Sequence, residues 1–178
     1  MSFIRIKTIK GNKYAYLVEN SWKRKTSKQK VKQYLGRVYS LNKKQPYNFL
    51  VFAGIDNIVM YINNTAHENI LTDLIIYEIY FHGFKKIDNL KWEHNGIIID
   101  LENKYIKQNN KDIVLQLNDG FLCSHTMNKL FSFNQKGNTK EVATNWARLF
   151  VDTGIKISKE LFIEFFQKIN KGNSKVFY

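Results

Sequence analysis

The chain has 178 residues, with 28 Lys+Arg against 15 Asp+Glu for a formal charge of +13, and 44% of it is apolar, including 13 Phe, 10 Tyr and 3 Trp. That length suits one domain, or one domain with a small appended module, and the large side chains exclude a disordered polycation for the bulk of it. A single cysteine, Cys123, excludes a disulfide scaffold and a cysteine-based zinc site. No apolar run reaches the ~18 residues of a spanning helix, and Ser2-Phe3-Ile4-Arg5-Ile6-Lys7 is no signal peptide, so no membrane role and a cytoplasmic location are expected.

The charge is concentrated at the start of the chain. Residues 1–44 hold 13 basic side chains and one acid, Glu19, whereas residues 45–178 hold 15 basic and 14 acidic ones. Like charges packed together oppose folding unless a partner neutralises them, so this split points to a segment that meets a polyanion. The rival reading is that Lys serves solubility in a chain rich in Lys, Asn and Ile, but it does not account for one acid in 44 residues.

Residues 2–9 alternate, with Ile4 and Ile6 on one side; Gly11-Asn12 supplies turn chemistry, and Tyr14 to Val18 reads as the returning strand. Ser21 to Lys28 has turn formers and charge but no period, which predicts a loop. Lys30 to Tyr39 alternates again, giving a small antiparallel sheet of three strands whose apolar face the rest of the chain must cover. Leu41 to Asn48, with the only proline, Pro46, is the candidate linker between a 1–44 module and a 45–178 domain.

Phe49 to Ile62 has mixed period and supports neither helix nor strand. Thr65-Ala66-His67-Glu68 has the spacing of a capping box before a helix carrying Ile70, Leu71, Leu74, Ile75 and Ile79, stopped at Gly83. Gly96–Leu101 and Asp112–Leu117 read as buried strands, with a shorter one at Tyr105–Ile106 and a hairpin turn at Asn109-Asn110-Lys111. A short helix over Cys123–Phe131 follows, then one from Asn138 to Gly154 and one after Ser158 whose apolar stripes are core. The fold class expected is α+β: a basic three-stranded N-terminal sheet plus a mixed domain with a β-hairpin and three to four helices.

The segment richest in chemistry is Trp22 to Lys32, where Lys23, Arg24, Lys25, Lys28, Lys30 and Lys32 fall within eleven residues beside Thr26 and Ser27, followed by Tyr34. Basic side chains reach phosphates, hydroxyls bond phosphate oxygens, and Trp22 and Tyr34 can stack on exposed bases. Arg5, Lys7, Lys13 and Arg37 extend the surface. Five or six phosphate contacts would give log affinity a slope of about −5 against log salt on duplex DNA.

Residues 3–38 resemble the N-terminal segment of some insertion-sequence DDE transposases and of related uncharacterised archaeal proteins. The match lies in Tyr14-x-Tyr16-Leu17-Val18-Glu19, the Val31 strand and Tyr34-Leu35-Gly36, about a fifth of the chain. The resemblance implies DNA contact by this segment. Residues 45–178 are too short for a complete transposase core with its three acidic residues, so a re-used DNA-binding module is expected rather than an active transposase.

Catalytic patterns are weak, and the sequence points away from an enzyme. Asp100 ends one strand and Gln116-Leu117-Asn118 the next, where a restriction-type nuclease would carry Glu-x-Lys to hold magnesium; here both the second carboxylate and the lysine are replaced. His67, His82, His94 and His125 are scattered, and Asp119 reads as a turn residue. His94, Asp100 and Glu102 could be drawn as a metal set but show no helical ligand pair. His82 suits the negative end of its helix. Cys123 with His125 lacks an orienting third group. No cofactor and no metal are expected. The leading expectation is non-catalytic nucleic-acid binding, DNA ahead of RNA. A scaffold or ribonucleoprotein subunit comes second, with 45–178 meeting a protein partner, and a metal-dependent nuclease third. A second copy of the chain would double the footprint.

Overall fold

The period-two pattern at the start of the chain becomes three long strands in the computed structural model. The structure describes the backbone of residues 2–23, 26–133 and 138–173, and their side chains except at 22, 23, 26, 27 and 171–173. Strand β1 (Ser2–Ile9) turns through Lys10 and Gly11, both at positive φ, into β2 (Asn12–Lys23), which pairs with β3 (Thr26–Ser40). The antiparallel order expected for the three strands is observed.

The expected loop at Ser21 to Lys28 is not. Asn20 to Lys23 pair residue by residue with Thr26 to Gln29, so β2 and β3 run on as a two-stranded ribbon beyond the last β1 pair, Ser2 with Glu19. At its described positions Ser21, Lys28 and Gln29 are exposed, and exposed strand residues have no reason to alternate apolar and polar types.

Leu41 to Asn48 is irregular. The ambiguous stretch holds two short helices, α1 (Phe49–Ala53) and α2 (Ile58–Asn64), whose N-caps Asn48 and Asn57 accept from backbone amides. Helix α3 (His67–Phe81) follows so closely that Thr65 serves as the C-cap of α2. Ala66 is the N-cap of α3 and makes no side-chain cap bond, so the expected capping box is absent.

Two hairpin strands that the sequence does not announce come next, β4 (Lys85–Asp88) and β5 (Lys91–His94), then β6 (Ile97–Asp100), β7 (Tyr105–Gln108), β8 (Lys111–Leu117) and a three-residue β9 (Gly120–Leu122). Asn109 and Asn110 both take positive φ and form the expected turn between β7 and β8. Helix α4 (Ser124–Phe131) opens at Cys123. Helix α5 (Thr139–Thr153) is capped by Asn138, whose Oδ1 accepts from Glu141 N at 3.0 Å, and ends at Gly154. Helix α6 (Lys159–Asn173) closes the described chain.

The α+β class holds, but the sheet is larger than three strands and a hairpin, and the described residues contain six helices rather than three or four. One sheet runs β1-β2-β3-β8-β7-β6-β5-β4, with β9 also on β8. The join is parallel: Arg37 to Ser40 of β3 lie beside Ile113 to Gln116 of β8. Long-range pairing of this kind leaves no local signal in the sequence.

The main core packs α3, α4, α5 and α6 against β6 to β9. Trp146 lies at its centre, with ring centroids 4.7 Å from Phe133, 4.9 Å from Phe150, 5.6 Å from Phe165 and 5.7 Å from His67. A second cluster covers one face of the N-terminal strands: Ala15, Leu35 and Val38 meet Val114 and Cys123, with Ile4, Ile6, Leu17 and Phe121 against them. Among the described residues no helix is long and apolar enough to cross a membrane.

Candidate nucleic-acid interface

Register decides which side chains share a face, because opposed residues in a sheet point the same way. Arg5 opposes Tyr16, Lys7 opposes Tyr14, and on the other side of β2, Tyr34 opposes Tyr16 and Arg37 opposes Tyr14. These six side chains therefore occupy one face, opposite the Ala15–Leu17–Val38 cluster. Tyr34 is 53% exposed, with ring centroids 5.3 Å from Tyr16 and 6.4 Å from Tyr14. Lys7 Nζ sits 5.2 Å from the Tyr16 ring centroid and Arg37 Cζ 5.2 Å from that of Tyr39. Arg5 donates to Gln29 at 2.5 Å and Arg37 to Asn12 at 2.6 Å, which holds both guanidinium groups over the strands. Partial burial, then the neighbouring Tyr16 and Tyr14, raise the Tyr34 phenol pKa, so the ring stays neutral.

A β-bulge makes this face. Ala15 pairs with Gly36 and Tyr16 with Tyr34, leaving Leu35 as the extra residue. Leu35 turns into the second core cluster while Tyr34 stays outside. Gly36 has φ +133°, and a β-carbon there would lie 2.7 Å from the Ile113 Cα. Only glycine lets β3 bend and approach β8 here. This gives a physical reason for the Tyr34-Leu35-Gly36 run.

The expected basic residues divide into three groups. Arg5, Lys7 and Arg37 share the tyrosine face. Lys13, opposed to Thr8, Lys28, opposed to Ser21, and Lys30, opposed to Glu19, belong to the other face, as does Lys32, whose Nζ lies 2.7 Å from Glu19 Oε2. The Lys32 hydrogen bond and charge hold the Glu19 carboxyl below its ordinary range. Arg24 and Lys25 lie outside the described residues, as do the side chains of Trp22 and Lys23 on the ribbon. Tyr14, Tyr16, Tyr39 and Lys111 were not singled out by composition; the Tyr14-x-Tyr16 alternation in register with Tyr34 was the available signal. Tyr14, Tyr34, Arg37 and Tyr39 line an open groove of about 540 Å³ together with Asn109 of the β7–β8 turn and Lys111 and Asp112 at the start of β8.

The residues weighed for metal chemistry have other partners. Asp100 is buried and accepts from Asn103 N at 2.8 Å and Asn103 Nδ2 at 3.0 Å, so both its oxygens are used within the β6–β7 turn. Gln116 Oε1 accepts from Ser40 Oγ at 3.0 Å across the β3–β8 join. Among the described residues no three His, Cys, Asp or Glu side chains come together as a metal set. His94 Nδ1 is 3.0 Å from Gly83 O. Burial pushes the Cys123 thiol pKa up and the His125 pKa down. His82 caps α3 with Nδ1 2.8 Å from Glu78 O; burial lowers its pKa, so it acts through that hydrogen bond rather than as a charge on the helix dipole.

One polar cluster was not anticipated. Glu78 is completely buried on α3, where Lys43 Nζ approaches Oε1 at 2.5 Å and Asn118 Nδ2 donates to the same oxygen at 2.8 Å. An acid inside an otherwise apolar helical face was the signal for it. Through Lys43 it ties the segment after β3 to α3, and through Asn118 to the end of β8. Comparison of the chain with family models, curated proteins and solved structures gave no match.

Proposed function

We propose that the protein is a non-catalytic nucleic-acid-binding protein that holds phosphates with its basic N-terminal strands and their ribbon. The observation that carries this reading is the two-stranded ribbon Asn20–Lys23/Thr26–Gln29, in the middle of a segment with 13 basic residues and one acid, running on beyond the last β1 pair. Lys28, Lys30 and Lys32 lie along β3 on one side of the ribbon and its root, and Arg5, Lys7 and Arg37 form a separate positive surface on the opposite, tyrosine face.

DNA is the favoured polymer for two reasons. The major groove of B-form DNA admits a two-stranded β-ribbon, whereas that of A-form RNA is too narrow for side chains to read. The resemblance of residues 3–38 to transposase N-terminal segments points the same way. The test is competition: labelled duplex DNA bound to the whole protein is challenged with unlabelled duplex DNA and with double-stranded RNA of equal length. The reading expects DNA to compete at several-fold lower concentration. Equal competition would remove the DNA preference, and failure to bind either polymer would remove the function.

A further inference from the structure

The tyrosine face continues past β3 into the groove bounded by the β7–β8 turn. Its volume of about 540 Å³ falls within the roughly 300–1,000 Å³ of small-ligand sites. Its wall is aromatic, from Tyr14, Tyr34 and Tyr39, and two cations stand on it, Arg37 from β3 and Lys111 from the start of β8. Asn109 of the β7–β8 turn adds a side-chain amide, a group suited to the donors and acceptors of a base edge. Phosphate binding draws on a tyrosine's hydroxyl and not on its ring, so it does not by itself call for ring faces clustered around a half-exposed tyrosine. The flat face of a base is what such rings attract, and it is accessible only when the base is unpaired.

We propose that this groove takes an unpaired base of a nucleic-acid strand, stacked on Tyr34, with the adjoining phosphates met by Arg37 and Lys111. The inference rests on the nucleic-acid reading and adds a second mode of contact to it: the ribbon meets the backbone of the polymer, and the groove takes a base from it.

Fluorescence anisotropy of the whole protein tests this with three labelled ligands of equal length: a single DNA strand, the same strand with its bases replaced by abasic sites, and the duplex. The ordinary strand is expected to bind roughly tenfold tighter than the abasic one. Tyr34→Ser is expected to remove most of that preference while keeping the salt dependence, and Tyr34→Phe to retain it. Changing Lys28, Lys30 and Lys32 together to Ala is expected to weaken both strands alike. Because Tyr34 is exposed, the Ser variant should melt close to wild type, and the melt is run beside the titration. Equal, salt-dependent affinity for ordinary and abasic strands would overturn the groove assignment and leave the nucleic-acid reading standing. No binding to any of the three ligands would overturn both.

Discussion

Gly36 lies directly against Asp112: a β-carbon on Gly36 would come within 2.7 Å of the neighbouring Ile113 Cα and closer still to the Asp112 carbonyl oxygen. This contact is where the N-terminal strands meet the rest of the sheet, one residue before the parallel pairing of Arg37 with Ile113 begins. Gly36→Ala must therefore push the strands apart and also strain a backbone at φ +133°. A loss of about 1–3 kcal/mol is expected from each effect, read as a lower urea midpoint. A midpoint equal to wild type would mean that the join tolerates a side chain.

Lys43 and Glu78 make the buried ion pair that anchors the segment after β3. Lys43→Met leaves the Glu78 carboxylate inside the protein without its counter-charge, and about 3–5 kcal/mol of stability should be lost. Lys43→Met combined with Glu78→Leu should recover most of it, since no isolated charge is then buried. If the double variant is as unstable as the single one, packing rather than charge holds this corner.

His67 gives the stability a pH dependence of known sign. The ring is packed against Trp146 and Phe165, and burial lowers its pKa from 6.5; Glu68 opposes this, and the nearby Lys168 adds a lesser lowering. The unfolded chain thus binds the proton more readily than the folded one. Stability is unaffected above about pH 6.5, falls as pH drops through that value, and levels off below the folded pKa. His82 and His125 are shifted in the same direction. Urea unfolding at about pH 7.5 and about pH 5.5 should show a drop that His67→Phe makes smaller. An identical drop in the variant would assign the effect to the other histidines.

What could be read in the sequence follows from which faces are buried. Helix α5 shows itself through Val142, Trp146 and Phe150, and β8 through Ile113, Val114 and Leu115, because burial demands apolar residues at a fixed period. Strand β4 is exposed at every position, as are Ser21, Lys28 and Gln29 on the ribbon, so no buried face imposes a pattern there. The same limit applies to the site. Charge density marks residues 1–44 in composition, but which lysines and arginines stand together depends on the bulge at Leu35 and on pairing across β2. Tyr14, Tyr16 and Tyr34 therefore become neighbours only once the strands are in register, and Tyr39 and Lys111 line one groove only through the parallel join to β8.

The salt dependence of duplex DNA binding tests the central claim most directly. Wild type is compared with a variant in which Lys23, Arg24, Lys25 and Lys28 are all Ala. Each phosphate contact contributes about 0.9 to the slope of log affinity against log salt, so the wild type should fall near −5 and the variant should be flatter by about three to four. Unchanged slopes for the two proteins, or no binding by the wild type at near-physiological salt, would contradict phosphate contact through the ribbon.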